Sequence, residues 1–345
     1  MRIDEREIGT ASAPYVIAEM SGNHNGSLDR ALAIVEKVAE AGAHALKLQT
    51  YRADTITIDA DTEAFRISGG HGLWGGRRLH DLYEEAHTPW EWHEPIFDRA
   101  RSLGLTAFSS PFDPSAVAFL EGLGVPAYKI ASSEIVDLPL IRLAAATGKP
   151  LIISTGMATA GEIEAAVTAA RGAGCADLVL LGCTAAYPAP IEDCDLRALP
   201  LLAEMFGVPV GYSDHTPGLG AAVAAVALGA CVIEKHVTLD REPGVDSAFS
   251  LDPGELAALV TETGRAWRAL GRARIGPRPT ETEGLRFRRS LYVVADVRAG
   301  EPVSAGNVRS IRPAGGLAPD DFGRVEGRTF RRDAVKGTPL TWDLL

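Results

Sequence analysis

Val232-Ile233-Glu234-Lys235-His236 decides how this chain is read. Two β-branched residues run directly into three ionisable ones, so an apolar strand ends in Glu, Lys and His. Period-two alternation puts Glu234 and His236 on one face of that strand and Lys235 on the other. A second His stands 21 residues earlier, closing Val208-Pro-Val-Gly-Tyr-Ser-Asp-His215, again just past a short apolar run. Two strands that each deliver a His at their C-terminal end can place both on one metal ion beside the Glu234 carboxylate. A lone strand-end His more often satisfies a local hydrogen bond, so the rest of the chain has to choose between the two.

Outward from that stretch, apolar runs alternate with helical segments. The runs are 15–19, 45–49, 105–109, 127–131, 150–154, 178–181, 208–212 and 230–236, eight candidate strands. Amphipathic helices are expected over 28–41, 89–103, 115–123, 139–147, 160–173, 195–206 and 218–228. Strand–helix alternation implies parallel pairing, and eight units predict a closed (β/α)₈ TIM barrel over residues 1–275. One long connection, 51–88, interrupts the rhythm and reads as a lid; its glycine-rich centre contains His71, an outlying site candidate. A linker dense in Pro, Gly and charge follows at 276–289, and 290–345 reads as a small β-rich module. Its size is at the lower edge of what folds alone, so it is expected to dock onto its own barrel or a partner's.

With 46% hydrophobic and 23% charged residues, the 345-residue chain has the composition of a soluble globular protein. A net charge of −11 argues against a general nucleic-acid or membrane-surface binder. The N-terminus lacks the apolar core of a signal peptide, and no apolar run reaches the roughly 18 residues that span a bilayer. Four widely spaced cysteines form no CxxC pair, which fits reduced thiols in a cytoplasmic protein.

In such a barrel the site forms at the C-terminal ends of the strands, and here nearly every end is polar. The ends offer Glu19 with Asn23 and His24 beyond it, Lys47 and Gln49, Ser109-Ser110, Lys129 with Ser132 and Glu134, and Ser154-Thr155. They continue with Cys183-Thr184 and Tyr187, Ser213-Asp214-His215, and Glu234 with His236. Lys47 and Lys129 lie inside apolar runs, where a charge is costly unless paired. Two lysines facing one mouth among hydroxyls suit a phosphate or carboxylate; the structural alternative pairs each with a buried carboxylate. His215 and His236 would favour Mn²⁺, Fe²⁺, Co²⁺ or Zn²⁺ and leave positions open for substrate and water. His44, His80, His87 and His93 read as surface or packing residues.

These motifs resemble the sialic acid (nonulosonate) synthases. The likeness is carried by Ile17-Ala-Glu-Met-Ser-Gly-Asn-His-Asn-Gly26, Lys47-Leu-Gln-Thr50, Phe108-Ser-Ser-Pro-Phe112, Lys129-Ile-Ala-Ser-Ser-Glu134 and Ser154-Thr-Gly-Met157. Gly211-Tyr-Ser-Asp-His-Thr216, Glu234-Lys-His236 and Ser310-Ile-Arg-Pro-Ala-Gly-Gly-Leu317 complete it, in order along essentially the whole chain. Leu79–His93, Tyr187–Pro190, Gly244–Ser250 and Phe287–Leu291 look most like the branch that makes pseudaminic acid. The resemblance implies condensation of phosphoenolpyruvate with 2,4-diacetamido-2,4,6-trideoxy-altrose, releasing phosphate. It also implies a C-terminal antifreeze-like (SAF) domain and a domain-swapped homodimer. Mn²⁺ is the metal expected first, with Mg²⁺ and Co²⁺ as alternatives.

Carried over by position, Lys47, Ser110, Lys129, Ser132 and Ser213 would hold phosphoenolpyruvate, and His215 and His236 the metal. Glu19, Tyr187 and Asp246 would hold the sugar, Arg312 would reach its acyl group from the other subunit, and Glu134 would handle protons, with Glu234 as the second carboxylate. Asn23, Gln49 and Thr184 complete the expected substrate shell. Ala185 stands where relatives carry Asn or Ser, which puts one phosphate-side hydrogen bond in doubt. Competing readings are a synthase for legionaminic or N-acetylneuraminic acid, a catalytically silent sugar- or phosphate-binding barrel, and an ice or polysaccharide binder built on the tail.

Overall fold

A computed structural model describes residues 1–69, 73–241 and 244–345. The chain divides into two compact units, Met1–Gly271 and Arg272–Leu345. The first opens with a hairpin of β1 (Arg2–Ile3) and β2 (Arg6–Glu7), which the sequence pattern did not announce. Eight parallel strands follow: β3 (Tyr15–Glu19), β4 (Ala45–Thr50), β5 (Thr106–Pro111), β6 (Tyr128–Ile130), β7 (Leu151–Ser154), β8 (Leu178–Cys183), β9 (Val210–Asp214) and β10 (Val232–His236). They close in sequence order, with β10 pairing back onto β3, so the chain is the expected TIM barrel.

Strands covered by helices outside and side chains inside need apolar residues on both faces, and that is why they read as unbroken apolar runs. The helices are α1 (Leu28–Glu40), α2 (Ala53–Ile56), α3 (Leu79–Ala86), α4 (Trp90–Ser102), α5 (Pro114–Gly122), α6 (Leu138–Ala145), α7 (Ala160–Gly172), α8 (Ala198–Phe206), α9 (Gly220–Ala227) and α10 (Pro253–Leu270). Their starts are chemically marked. Capping boxes pair Thr159 with Glu162 at α7 and Asp252 with Glu255 at α10, and Ser27 caps α1. Gly211 is required where β9 meets β10, because a Cβ there would lie 2.4 Å from the Val232 carbonyl oxygen.

At the N-terminal end of the barrel the hairpin buries Ile3 and Ile8 in the main core. The 51–88 connection carries α2, a 3₁₀ turn at Glu63–Phe65 and α3, while His71 lies outside the described residues. In the second unit β11 (Ser290–Val293) pairs antiparallel with β12 (Val308–Ile311), and a short α11 (Phe322–Val325) follows. Leu291, Val293, Val308, Phe330 and Leu340 form its own small core. Among the described residues no helix is long and apolar enough to cross a membrane.

Candidate active site at the C-terminal mouth of the barrel

Strand register gathers the ionisable groups. His236 pairs with Glu19 and Glu19 with Lys47, while Glu234, two residues lower on β10, pairs with Ser213, so β10, β3, β4 and β9 deliver polar residues in two adjacent rows at the mouth. Lys47 makes an ion pair with Glu19, and its ammonium lies 3.6 Å from Glu234 Oε1 and 3.3 Å from Ser110 Oγ. Lys129 donates to the same Glu234 oxygen at 3.2 Å, and Ser213 Oγ approaches it at 3.3 Å. Both lysines are therefore paired with carboxylates, yet two cations share one oxygen. Glu234 Oε2 has no protein partner, nor does Glu134 Oε2.

Burial governs how these groups ionise. Glu19 is pushed up to about 7 by desolvation, with the Lys47 ammonium opposing and the Glu234 charge adding. Burial would raise Glu234 as well, but Lys129 and Lys47 outweigh it and hold its carboxyl below the usual value. Lys47 loses by desolvation and gains more from Glu19 and Glu234, ending raised; Lys129 ends lowered, because burial exceeds the pull of Glu234. Glu134 sits in the 3₁₀ turn Ser132–Val136 after β6 and is pushed up to about 7 by burial, partly opposed by its own backbone and by Lys129. With Glu19 and Glu134 both near their midpoints at neutral pH, the two lysines balance the three carboxylates of the mouth inside an otherwise acidic protein. An anion fits there.

The histidine pair lies beside this cluster. The rings of His215 and His236 are 5.4 Å apart between centroids, near enough to meet on one ion at the ~2.1 Å of a metal–imidazole bond. His215 Nδ1 bonds the Thr184 carbonyl at 3.0 Å, which leaves Nε2 free to act as a ligand. His236 Nδ1 is buried with no hydrogen-bond partner, 3.8 Å from Asp246 Oδ2. Burial holds His215 down at about 4, and burial together with the neighbouring His215 holds His236 well below its ordinary value, so both rings stay neutral as ligation requires. No group of three or more His, Cys, Asp or Glu among the described residues forms a closed metal cage. The donor set fits an ion that takes its remaining ligands from water or substrate.

Aromatic rings wall this side. Tyr187 packs 4.3 Å from His215, Phe249 lies 4.9 Å from His236 and 5.2 Å from Tyr187, and Trp74 lies 5.4 Å from Tyr187. Trp74 also donates to the Val245 carbonyl at 2.9 Å, so the 51–88 connection meets the loop after β10 beside the histidine pair. Neither Trp74 nor Phe249 was expected as a site residue from the sequence, although Phe249 lies in the Gly244–Ser250 motif. Asp246 accepts from Ser21 Oγ and is pushed up to about 6 by burial. Ser21, Asn25 and Met157 hold positive φ (47°, 48° and 65°) in the loops after β3 and β7, the kind of backbone strain that gathers at sites.

Other expected residues take other places. Asn23 spends its amide on the Val237 carbonyl (2.8 Å) and Ser250 Oγ (2.9 Å), tying two loops together. Thr184 Oγ1 turns to the Asp193 carbonyl at 2.9 Å. Gln49 is half-buried on β4, paired in register with Ser110, and Ser132 Oγ accepts from the Gly156 N–H at 3.2 Å. His24 sets its ring edge on Trp92, 5.5 Å between centroids. His44 and His93 serve packing: His44 accepts from the Val16 N–H, and His93 bonds Thr50 at 2.8 Å. Arg312 is exposed after β12 in the second unit.

Residues 34–274 match the NeuB family and residues 288–345 the SAF domain. The chain belongs to the NeuB family. This NeuB-family chain is 44% identical over 327 residues to pseudaminic acid synthase of Campylobacter jejuni subsp. jejuni serotype O:2, covering 94% of this chain and 95% of that protein. It is 41% identical over 333 residues to pseudaminic acid synthase of Helicobacter pylori, with 96% and 97% covered. Among solved structures it resembles the N-acetylneuraminic acid (sialic acid) synthetase of Leptospira borgpetersenii, at a TM-score of 0.74 and 32% identity over 83% of this chain and 94% of that one.

Proposed function

We propose that this NeuB-family chain is a pseudaminic acid synthase, condensing phosphoenolpyruvate with 2,4-diacetamido-2,4,6-trideoxy-altrose and water. The products are a nine-carbon 2-keto acid and phosphate. The sugar assignment is supported by the identity to the Campylobacter and Helicobacter synthases along almost their whole length. The chemistry is supported by one observation above all: two buried lysines, two carboxylates and two neutral histidines share one barrel mouth.

Lys47 and Lys129 take the carboxylate and phosphate of phosphoenolpyruvate, with Ser110, Ser132 and Ser213 supplying neutral donors. His215 and His236 hold a divalent ion, Mn²⁺ first, with Mg²⁺ or Co²⁺ as alternatives. When bound, such an ion supplies Lewis-acid polarisation of the sugar's aldehyde. Carbon 3 of the enol forms a bond to the aldehyde carbon, the aldehyde oxygen takes a proton from Glu134, and carbon 2 becomes electron-poor. Water adds at carbon 2 and returns a proton to Glu134; the carbon–oxygen bond to phosphate then breaks, the new hydroxyl's proton leaving with phosphate as carbon 2 becomes a ketone. A group pushed up to about 7 both accepts and returns a proton near neutrality. Glu234 stabilises the electron-poor centre, and Glu19, Tyr187 and Asp246 orient the sugar.

The active form in this reading is a domain-swapped homodimer in which Arg312 reaches the acyl group of the sugar on the other subunit. Charge supports it. The first unit carries 20 Lys and Arg against 36 Asp and Glu, the second 14 against 9. The free cysteines support a reducing, cytoplasmic setting.

The experiment is phosphate release from phosphoenolpyruvate with Mn²⁺, offering the altro sugar, its manno counterpart and N-acetylmannosamine in parallel, each repeated with a chelator. Metal-dependent release with the altro sugar alone is expected. Release only with another sugar keeps the chemistry and overturns the substrate; no release with any overturns both. For the dimer, co-expressed Arg312→Ala and Glu134→Gln chains are expected to regain activity that neither has alone.

A further inference from the structure

One buried charge pair in the barrel takes no part in this chemistry. Lys235 and Asp214 face outward from β10 and β9, behind the strand ends, and their side chains are entirely inaccessible. They are register partners, and Lys235 Nζ lies 2.8 Å from Asp214 Oδ2. The same ammonium donates to the Thr216 carbonyl at 2.6 Å. Asp214 Oδ1 accepts from the Thr216 N–H at 2.9 Å and from its hydroxyl at 2.8 Å. Thus both residues flanking His215 are held by Lys235, which itself stands between Glu234 and His236.

A buried pair of this kind contributes little net stability, because desolvation offsets the attraction. What it does supply is a fixed geometry. His236 ends β10 and His215 directly follows β9, so the β9–β10 register and the bonds across it help set their separation, together with the Tyr187 and Phe249 rings packed on them. His215 follows β9, where the strand ladder has ended; the Ala189 N–H holds its carbonyl at 3.0 Å, and the clamp on Thr216 fixes the residue after it.

We propose that Lys235 and Asp214 are positioning residues, a strut that fixes His215 and His236 at the spacing one divalent ion needs. The inference rests on the metal reading of that histidine pair. Outer partners of metal ligands typically tune affinity by ~10–100-fold, and the strut belongs to that class although it touches neither ring.

The test measures Mn²⁺ affinity by electron paramagnetic resonance of the free ion, with no substrate present, alongside unfolding in urea. Lys235→Met is expected to weaken Mn²⁺ binding ~10–100-fold. Because that change strands a buried carboxylate and can prevent folding, the double variant Asp214→Asn/Lys235→Met removes both charges at nearly constant shape. It is expected to fold and still bind Mn²⁺ at least ~10-fold more weakly. A core variant of comparable stability loss, Ile34→Ala on α1, is expected to leave Mn²⁺ affinity alone. Wild-type affinity in the double variant, whatever its stability, overturns the strut. Wild-type protein that binds no Mn²⁺ overturns the metal reading beneath it.

Discussion

The barrel buries two sets of opposite charges within a few residues of each other, and they are built on different rules. Behind β9 and β10, Lys235 and Asp214 match one to one, and their remaining bonds go to Thr216. Inside the mouth, Lys47 and Lys129 share one oxygen of Glu234, while Glu234 Oε2 and Glu134 Oε2 have no protein partner. Folding alone favours the first arrangement, since every unsatisfied buried polar atom costs free energy. In the proposed function the second persists because its missing partners arrive with substrate and water. Between these two sets, completeness goes with the scaffold and deficiency with the mouth.

Breaking one partner in each set is the sharpest challenge to that contrast. Lys235→Met leaves Asp214 buried and uncompensated, and its unfolding free energy in urea is expected to fall by about 3–5 kcal/mol. Lys129→Met leaves Glu234 with Lys47, so its stability should fall by less than ~2 kcal/mol. Its kcat/KM for phosphoenolpyruvate should fall about a hundredfold, the loss of one or two charge-assisted hydrogen bonds at ~1.5–3 kcal/mol each. If Lys129→Met unfolds as readily as Lys235→Met, the mouth is scaffold after all.

Glu134 sharpens the contrast through pH. Its carboxyl is raised from 4.5 to about 7 by burial, so its favourable contribution is complete below 4.5 and is lost as pH rises through 7. Glu134→Gln cannot ionise. Relative to wild type it should gain stability between pH 5 and pH 8, by up to ~3 kcal/mol, since each pH unit separating the folded and unfolded carboxyl is worth ~1.4 kcal/mol. The same variant should lose turnover, by ~10²–10⁴ for a lost proton acceptor. Stability gained with activity lost is the signature of a deficient site. Near-normal turnover would remove Glu134 from the proton step, and a pH-independent stability difference would mean that its carboxyl is not strained.

The strands were legible because parallel barrel strands bury both faces, which leaves apolar runs such as Leu151–Ser154. The polar ends were legible for the same reason: a lysine inside Tyr128–Ile130 interrupts a pattern that tolerates little else. Pairings were not. That Glu19 would take Lys47, or Asp214 Lys235, depends on register across neighbouring strands, which residue types alone do not specify. The β1–β2 hairpin was missed because its two-residue strands carry Arg and Glu on a surface turn, with only Ile3 and, just past β2, Ile8 marking the buried side. Trp74 and Phe249 were not picked out as wall residues because one lies in a turn and the other in the three-residue 3₁₀ turn Ser247–Phe249, where no period says which way a ring faces.

The smallest expected effect lies at Ala185. A Cβ built on Gly156 would fall 2.7 Å from Ser132 Oγ and 3.2 Å from the Ala185 methyl, so these three positions line one notch. Ser132 already accepts from the Gly156 N–H there, and Thr184 has turned its hydroxyl to Asp193. Ala185→Ser would add one neutral donor to the phosphate side of the mouth. A net gain near 1 kcal/mol corresponds to a KM for phosphoenolpyruvate lowered about fivefold, with kcat little changed. Steady-state kinetics at saturating sugar would read it directly. An unchanged KM would show that this notch already holds the substrate without help from position 185, extending to Ser132 and Gly156 the completeness seen behind β9 and β10. A lowered KM would place the deficiency within reach of a single hydroxyl.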